Sequence, residues 1–461
     1  MEQTSFFERF SQWVRKSVTL KIFIIGILIL VLLIPSALLG SLINEREQTR
    51  NEAIDEVSSK WGNKQTIGGP IISIPFNLKT TDEKGNIVER TDYAHFLPEN
   101  LKIKGIITPE KRYRGIYVVV LYNVKLKITG TFNKPDFTSL NIQKENILMD
   151  KAFVSLGVSD MKGIKENVNI KWNDSLLSCN PGITNHDIFS SGLSAPISLN
   201  SKSINFSCEL NLNGSSDLSF LPFGKETLVD LQSTWSNPSF TGSFLPEKRN
   251  VTENGFNAYW KVLHLNRNYP QQGIGNFVGT VPDYNQKINY PVQRDNYSAN
   301  TNGDEASFGV KLLLPIDEYQ KTSRSAKYNI VFICLTFLAF FFVEVLNKKR
   351  IHPIQYLIVG FAISLFYILL LSISEHLSFD LAYLIGCIII LILVTFYAKA
   401  IFKNNKIMLM ISGMLAILYG FFYSLLQLQD YALLLGSIGL LLILGVIMYL
   451  TRNIDWYQIE E

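Results

Sequence analysis

The chain is poor in the residues that build metal and redox sites. Its 461 residues include 4 cysteines and 5 histidines. No CxxC pair occurs, and no two histidines have the i,i+4 spacing with which a helix presents two ligands to zinc. The histidines are instead scattered along the chain, at His95, His186, His264, His352 and His376. The sequence therefore predicts neither a zinc centre nor a thiol–disulfide exchange site.

Signatures of nucleotide binding and covalent catalysis are missing as well. There is no phosphate-binding GxxxxGK motif and no GxSxG motif, and the glycines of GIGNFVG (273–279) have the wrong spacing for a dinucleotide fingerprint. The net charge is only +4, and no dense basic segment lies outside the flanks of the apolar runs, so nothing resembles a nucleic-acid footprint. We expect no cofactor, no nucleic-acid partner and no enzymatic reaction.

Long apolar runs are confined to two parts of the chain. Residues 22–42 form an uncharged run of the length that a helix needs to cross the hydrocarbon core of a bilayer. This run is too long for a cleaved signal peptide and continues into a helix-like pattern, so we interpret it as a retained anchor. Five further runs follow, at 329–346, 354–372, 381–398, 407–426 and 431–450.

Basic residues predict the orientation of these six spans. They precede the first span, separate the second from the third and the fourth from the fifth, and follow the sixth; they are Arg9, Arg15, Lys16, Lys21, Lys348, Lys349, Arg350, Lys399, Lys403, Lys406 and Arg452. The other two short loops, SISEHLSFD and QLQD, contain no lysine or arginine. Because basic loops stay in the cytoplasm, we expect both termini there and residues 43–327 outside.

The predicted fold is a mixed membrane protein of the bacterial inner membrane. A six-helix transmembrane α-bundle carries a large β-rich, sandwich-like periplasmic domain between its first and second spans. The predicted segments are a cytoplasmic segment 1–21, a first span 22–42, a periplasmic domain 43–327, a five-helix bundle 328–450 and a cytoplasmic tail 451–461. The predicted partners are the lipid bilayer and an unknown periplasmic or membrane protein, with the oligomeric state left open.

Within the outer domain the hydrophobic period changes. Residues 43–61 have a period near 3.6 residues, which predicts a helix continuing from the first span. Several β-branched or aromatic runs follow, bounded by Gly, Pro, Asn or Asp, and these are typical of antiparallel strands in one or two sandwiches. They lie at 71–76, 115–132, 152–158, 167–172, 203–214 and 227–235, whereas 265–306 is rich in polar residues and predicts a long loop or insert.

Two sets of polar residues are candidate sites inside these regions. Cys179 and Cys208 lie in the polar domain, where a periplasmic environment would allow a disulfide, although sequence does not show that they are close in space. Glu344 lies near the inner end of the second span. It either pairs with Lys348 one turn further on, or forms a polar cluster at the cytoplasmic mouth with His352 and Arg452.

A third set lies where the outer domain joins the membrane spans. Arg46 and Arg50 follow the first span, and Asp317 and Glu318 precede the second, at about the same outer interfacial depth. In one interpretation these charges only mark the water boundary. In the other, an arginine of the first pair forms an ion pair with an acid of the second and so couples the domain to the bundle.

Sequence blocks over nearly the whole chain resemble the CreD family of inner-membrane proteins, which are linked to cell-envelope integrity. The first block contains Glu45, Arg46, Arg50, Trp61, Gly62, Gln65, Gly69 and Pro70. Later blocks are RGIY (114–117), FLPFGKET (220–227), the most specific block at 234–260, LPIDEYQKTSRSAKY (314–328), IHPIQYLIVGF (351–361), FYILLLSISEH (366–376), YALLLGS (431–437) and YLTRNIDWY (449–457). The pair Cys179 and Cys208 is not part of the pattern.

The resemblance implies a setting more than a reaction. Family members are linked to envelope stress, to a two-component response to cell-wall damage and to tolerance of toxins and β-lactams, and no catalytic residue can be carried over. We therefore expect a non-enzymatic protein that supports envelope integrity through its periplasmic domain. The alternative is a transport or force-transmitting component that works with a separate ATPase or a periplasmic partner, since this chain has no nucleotide-binding motif.

Overall fold

A computed structural model describes residues 18–81, 87–278, 306–314, 318–347, 351–428 and 431–452. The chain divides into two compact units. The first, called here the helical unit, comprises Met1–Arg50 and Ile316–Glu461, and the second, the β unit, comprises Asn51–Pro315. The β unit is therefore inserted in the sequence between the first helix and the later ones, as the hydropathy pattern predicts.

The α-helices are long and mostly apolar. They are α1 (Val18–Trp61), α2 (Glu318–Lys327), α3 (Asn329–Leu346), α4 (Pro353–Ser374), α5 (Phe379–Phe402), α6 (Asn405–Gln427) and α7 (Ala432–Thr451). Among the described residues, α1 and α3–α6 are long and apolar enough to cross a membrane, and α7 contains a shorter apolar stretch, Leu433–Tyr449. The predicted mixed membrane fold is confirmed. The short polar helix α2 was not predicted.

Local chemistry explains where the helices begin and end. His352 precedes Pro353 at the start of α4, and its Nδ1 accepts a hydrogen bond from the backbone N–H of Ile354 (3.3 Å). Asn404 caps α6 by accepting from the N–H of Lys406 (2.9 Å). At the far end of α1, Gly62 has a φ of +147° and ends the helix that residues 43–61 were predicted to form.

The β unit contains the strands and several short 3₁₀ turns. The strands are β1 (Gln65–Thr81), β2 (Ile87–Phe96), β3 (Asn100–Arg114), β4 (Tyr117–Asn133), β5 (Phe153–Val158), β6 (Asn169–Trp172), β7 (Ser175–Ser178), β8 (Asn180–Pro181), β9 (Gly192–Pro196), β10 (Ser203–Ser215), β11 (Asp217–Phe220), β12 (Glu226–Ser233), β13 (Pro238–Gly242), β14 (Lys248–Thr252), β15 (Gly255–Leu263), β16 (Gln272–Ile274) and β17 (Phe308–Leu312).

These strands form two sheets around one core. Within the described residues, sheet 1 has the order β13-β17-β11-β1-β5-β9-β8, with β2 paired to β1 and β16 paired to β2, and sheet 2 has the order β14-β15-β12-β3-β4-β10-β6-β7. Side chains of both sheets share a single hydrophobic cluster, to which Tyr122 and Trp260 of sheet 2 and Phe220 and Phe308 of sheet 1 contribute fully buried rings. The sandwich-like packing is confirmed, as one sandwich rather than two.

The sheets depart from the prediction in strand direction. β1 pairs with β11 in parallel, and β3 pairs with β12 in parallel. Neither pair is consecutive in sequence, because parallel neighbours need a long crossover connection, which here runs through other strands. The sheets are therefore mixed rather than purely antiparallel. Of the predicted loop 265–306, residues 272–274 form β16, while 279–305 lie outside the described residues.

Candidate functional site

Helix α1 presents one narrow stripe to the rest of the helical unit. The stripe consists of Lys21, Ile25, Ile29, Leu32, Ser36, Leu39, Ile43, Arg46 and Arg50, and from Ile25 onward its steps alternate between four and three residues. Leu32 is 0% exposed and Leu39 is 3% exposed, whereas Leu30 and Leu38 on other faces are 63% and 65% exposed. This 3.5-residue repeat is the seam of a coiled coil. A charged residue therefore stands at each end of an otherwise largely apolar contact line.

At the first end of the stripe, Lys21 forms an ion pair with Glu344 of α3. The Glu344 side chain is 4% exposed, and that of Lys21 is 26% exposed. The same carboxylate accepts two more hydrogen bonds, from the Tyr356 hydroxyl (2.8 Å) on α4 and from the backbone N–H of Ile351 (2.8 Å). Three donors from three separate segments thus converge on one buried carboxylate. We call Lys21, Glu344, Tyr356 and Ile351 the Glu344 cluster.

Burial makes this arrangement energetically demanding. A carboxylate removed from water loses several kcal/mol of solvation, which only close counter-charges and hydrogen-bond donors can offset. In the Glu344 cluster the ammonium supplies the counter-charge, and the phenol and the amide satisfy further lone pairs. The cluster therefore ties α1, α3 and α4 together at one end of the helical unit.

The two residues predicted to join Glu344 make other contacts in the structure. His352 lies next to Ile351 but caps α4 through its own ring nitrogen, and its backbone N–H donates to the Gln355 side chain (2.9 Å). Arg452 lies over the ring of Tyr449, 4.3 Å from its centroid. The His352 ring thus caps α4, and the Arg452 guanidinium packs on an aromatic ring of α7. The alternative partner Lys348 lies outside the described residues.

At the other end of the stripe, Arg46 approaches Glu375, with Nε 3.9 Å from Oε1. Glu375 is the C-terminal cap of α4 and its side chain is 11% exposed. Arg50 lies 3.9 Å from Glu47, one turn earlier on α1. Asp317 and the side chain of Glu318 lie outside the described residues, so their predicted pairing with the arginines stays a prediction.

Lys21 and Arg46 are 25 residues apart in the sequence. At 1.5 Å per residue, they lie about 37 Å apart along the helix axis, slightly more than the roughly 30 Å hydrocarbon core of a bilayer. Both ends of the spanning part of α1 therefore carry an ion pair within the helical unit.

In the β unit, the structure brings together a serine, a histidine and an aspartate that no local spacing in the sequence connects. Ser73 on β1 and His95 on β2 are directly opposite in the register, and Ser73 Oγ lies 2.8 Å from His95 Nδ1. His95 Nε2 lies 3.2 Å from Asp187 Oδ2. With Nε2–H donating to the carboxylate, Nδ1 accepts from the serine hydroxyl; the residues follow each other as in a hydrolytic triad, but the two ring nitrogens have exchanged roles.

The burial of these residues indicates a structural role for them rather than a catalytic one. Ser73 and His95 are each 1% exposed, so no substrate carbonyl reaches the hydroxyl. The hydrogen bond from His95 is the main reason that the pKa of Asp187 is lowered from its ordinary value. We therefore interpret the three residues as a polar tie that anchors the segment around Asp187 to sheet 1.

The disulfide that the sequence left open between Cys179 and Cys208 is not formed, and both residues are free thiols. Strand β6 lies between them, because Cys208 is paired with Ile170 and the N–H of Cys179 donates to Val168 O (3.0 Å). Two strand spacings separate their Cα atoms by roughly 10 Å, beyond the reach of about 7 Å for a disulfide. Burial raises the pKa of Cys208 to about 12, so this thiol is unreactive.

A set of apolar helices long enough to span a membrane, interrupted in the sequence by a two-sheet β unit, defines a polytopic membrane protein with a large β-rich insertion. The chain matches the family model described as "Inner membrane protein CreD" over residues 17–457. It is similar to the Inner membrane protein CreD of Escherichia coli (strain K12), at 35% identity over 436 residues, which cover 93% of this chain and 91% of that relative. The chain therefore belongs to the CreD family.

Proposed function

We propose that this protein supports cell-envelope integrity and envelope-stress tolerance from the inner membrane without catalysing a reaction. In this proposal both termini are cytoplasmic and the β unit faces the periplasm, where it engages an envelope component or partner protein. The helical unit holds the insertion at the membrane. Membership of the CreD family supports the inner-membrane setting.

The observation that carries the proposal is the pair of cations, Lys21 and Arg46, at the two ends of the spanning part of α1. Lys21 and Arg46 each lie beside an acid of the helical unit, separated by about the thickness of a bilayer. Lys21 closes the basic N-terminal segment, and basic segments favour the cytoplasmic side. The outward end of α1 then continues at Asn51 into the β unit.

Reporter fusions test the orientation. Alkaline phosphatase, which is active only outside the cytoplasm, should be active when fused after residue 200 or 376 and inactive after 350 or 404. A cytoplasmic reporter at the same four positions should give the opposite pattern and controls for expression. Phosphatase activity at 350 or 404 would exclude the proposed topology.

An exchange of charges tests whether the outward end of α1 matters for function. Arg46→Glu should lower survival under β-lactam stress in a strain that depends on this protein, because Glu375 then faces a like charge. Adding Glu375→Arg should restore survival in part. Glu45→Arg is the matched control, since Glu45 is exposed and lies off the buried stripe of α1. If Arg46→Glu alone leaves survival unchanged, these charges only mark the boundary between membrane and water and play no part in function.

The alternative of a transport or force-transmitting component predicts a different partner. Affinity purification of the full chain from membranes under gentle detergent would then yield a cytoplasmic ATPase in stoichiometric amount. Recovery of periplasmic proteins or envelope material with the full chain, without an ATPase, fits the proposed function.

A further inference from the structure

The outer face of sheet 2 contains a cavity of about 480 Å³. Its walls come from β3, β4, β10 and β12 and from the segment that precedes β6. This volume lies in the range of small-molecule sites, roughly 300–1,000 Å³. Such sites are usually lined by apolar and aromatic side chains, whereas this one is lined largely by charged and amide groups. Its occupant should therefore be a polar molecule.

Strand register places charges of both signs across the cavity. Asp230, Lys104, Lys127 and Glu209 are consecutive neighbours across four strands. Lys127 Nζ lies 3.7 Å from Glu209 Oε1, and both side chains are exposed. Lys125 and Glu166 complete a set of three lysines and three acids among the described residues of the lining. Equal numbers of the two signs give no net attraction for a polyanion or a polycation.

An amide ladder fixes one wall of the cavity. Asn211 accepts a hydrogen bond from Asn123 Nδ2 (2.7 Å) and donates through its own Nδ2 to Glu166 Oε1 (2.7 Å). Asn123 Nδ2 also lies 3.0 Å from Asn213 Oδ1. Because Asn211 is held on both sides, its remaining donor and acceptor capacity is oriented before a ligand arrives.

Among the apolar residues of the lining, Ile106, Leu126, Val168 and Leu210, only Ile106 is exposed. Ile106 on β3 points to the outer face and is 60% exposed, between Gln232 on β12 and Lys125 on β4 in the register. A ring with an apolar face and hydroxyls at its edge would cover Ile106 and bond to the groups around it. Sugar rings have this shape, and each hydroxyl both donates and accepts, as a lining of lysines, acids and amides requires.

We propose that this cavity binds a neutral saccharide chain. Asp230 and Glu209 accept from its hydroxyls, Lys104 and Lys125 donate to its oxygens, and Ile106 contacts a ring face. The identification of that chain with a glycan of the cell envelope rests on the proposed function, which places the β unit in the periplasm. Binding by the purified protein does not depend on that placement.

The test is calorimetric titration of the detergent-solubilised full chain with a tetrasaccharide of N-acetylglucosamine. We expect saturable binding that Asp230→Ala and Lys125→Ala each weaken by about tenfold, since each removes a charged hydrogen-bonding group. Both residues lie on the outer face of sheet 2, so these variants should fold. Lys171→Ala is the matched control and should bind like the parent protein, because Lys171 is exposed on β6 but does not line the cavity.

Sulfated polysaccharide as a second probe separates saccharide recognition from charge attraction. The neutral tetrasaccharide should bind with little dependence on salt concentration, because its binding involves no counter-charge. Three results would overturn the proposal: no saturable binding of the tetrasaccharide, equal binding by the Asp230→Ala and Lys125→Ala variants, or binding of the sulfated polymer alone. None of these would alter the outcome of the reporter fusions, so the two proposals fail separately.

Discussion

Two ion pairs, one in each unit, show how differently the same chemistry is used. Lys21 and Glu344 in the helical unit are 26% and 4% exposed, and Lys127 and Glu209 in the β unit are 59% and 79% exposed. The buried carboxylate has two further donors, from Tyr356 and Ile351, while the exposed pair is a single contact of 3.7 Å. Water can solvate either charge of the exposed pair when its partner is removed, whereas the buried carboxylate of Glu344 has little access to water.

The contribution of an ion pair to stability depends on whether water can solvate the charge that is left when its partner is removed. An exposed pair contributes between zero and about 1 kcal/mol. Removal of one member of a buried pair costs about 3–5 kcal/mol, because the other charge stays buried without compensation. Each unit has its own apolar core, and we expect the Lys21–Glu344 pair to contribute far more to the stability of its unit than the Lys127–Glu209 pair does.

The largest expected effect comes from breaking the Glu344 cluster. Lys21→Met should lower the free energy of unfolding of the full chain in detergent by about 3–5 kcal/mol, because Glu344 loses its counter-charge. Lys127→Met is the matched control and should change it by at most about 1 kcal/mol. Denaturation followed by circular dichroism, which reports helices and strands alike, measures both.

A second variant sharpens this prediction. The double variant Lys21→Met with Glu344→Gln removes both charges, so it should recover much of the unfolding free energy that Lys21→Met alone loses. If Lys21→Met and Lys127→Met lower the free energy of unfolding equally, water reaches Glu344, and the contrast between the buried and the exposed ion pair is wrong.

A smaller effect is expected where α1 packs against α4. A Cβ atom at Gly360 would overlap Leu32 Cδ1 and lie 2.9 Å from Phe337 Cζ. Gly360→Leu should therefore destabilise the full chain by about 1–3 kcal/mol through overpacking. At Gly413 on α6 nothing lies within 4 Å of an added Cβ, so Gly413→Leu is the control and should be tolerated. Thermal unfolding in detergent compares the two, and similar unfolding temperatures would contradict the contact between α1 and α4.

The smallest effect concerns the polar tie in the β unit and depends on pH. The pKa of Asp187 is lowered in the folded chain from its ordinary value of 3.8. Its carboxylate therefore stabilises the fold at pH values above the unfolded pKa. This contribution is lost as the pH falls through the lowered pKa of the folded chain. Asp187→Asn should therefore reduce the urea midpoint at pH 7, and the difference from the parent protein should vanish below that pKa. Asp150→Asn, at an exposed aspartate of the same unit, is the control. A difference that persists unchanged at low pH would show that the carboxylate charge plays no part.

The membrane helices could be predicted from the sequence because a bilayer imposes one requirement on every spanning segment, a continuous apolar run of fixed minimum length. The predicted run 354–372 corresponds to Pro353–Ser374 and the run 329–346 to Asn329–Leu346. The helix over 43–61 was also predicted, since its period appears within a few turns. Each of these signals is local.

Pairings across long stretches of chain leave no such signal. Lys21 and Glu344 are 323 residues apart, so the sequence predicted Glu344 as a candidate site without its partner Lys21. The contact of His95 with Asp187 also joins distant segments. Strand β3 was missed although Leu101, Ile103 and Ile107 alternate inward, because Gly105 and Pro109 interrupt the pattern. The parallel pair β3–β12 is a property of the topology and not of either strand.

The separation of Lys21 and Arg46 also has a consequence for lipid composition. A single spanning helix adapts to a thinner or thicker bilayer by tilting or by letting its terminal lysines and arginines snorkel toward the headgroups. On α1 both terminal cations are engaged by acids of the same unit, Lys21 by Glu344 and Arg46 by Glu375. Mismatch between acyl-chain length and the roughly 37 Å between these residues must then be absorbed by the lipids or by strain on the two ion pairs. We therefore expect the helical unit to be most stable in a bilayer of about this thickness.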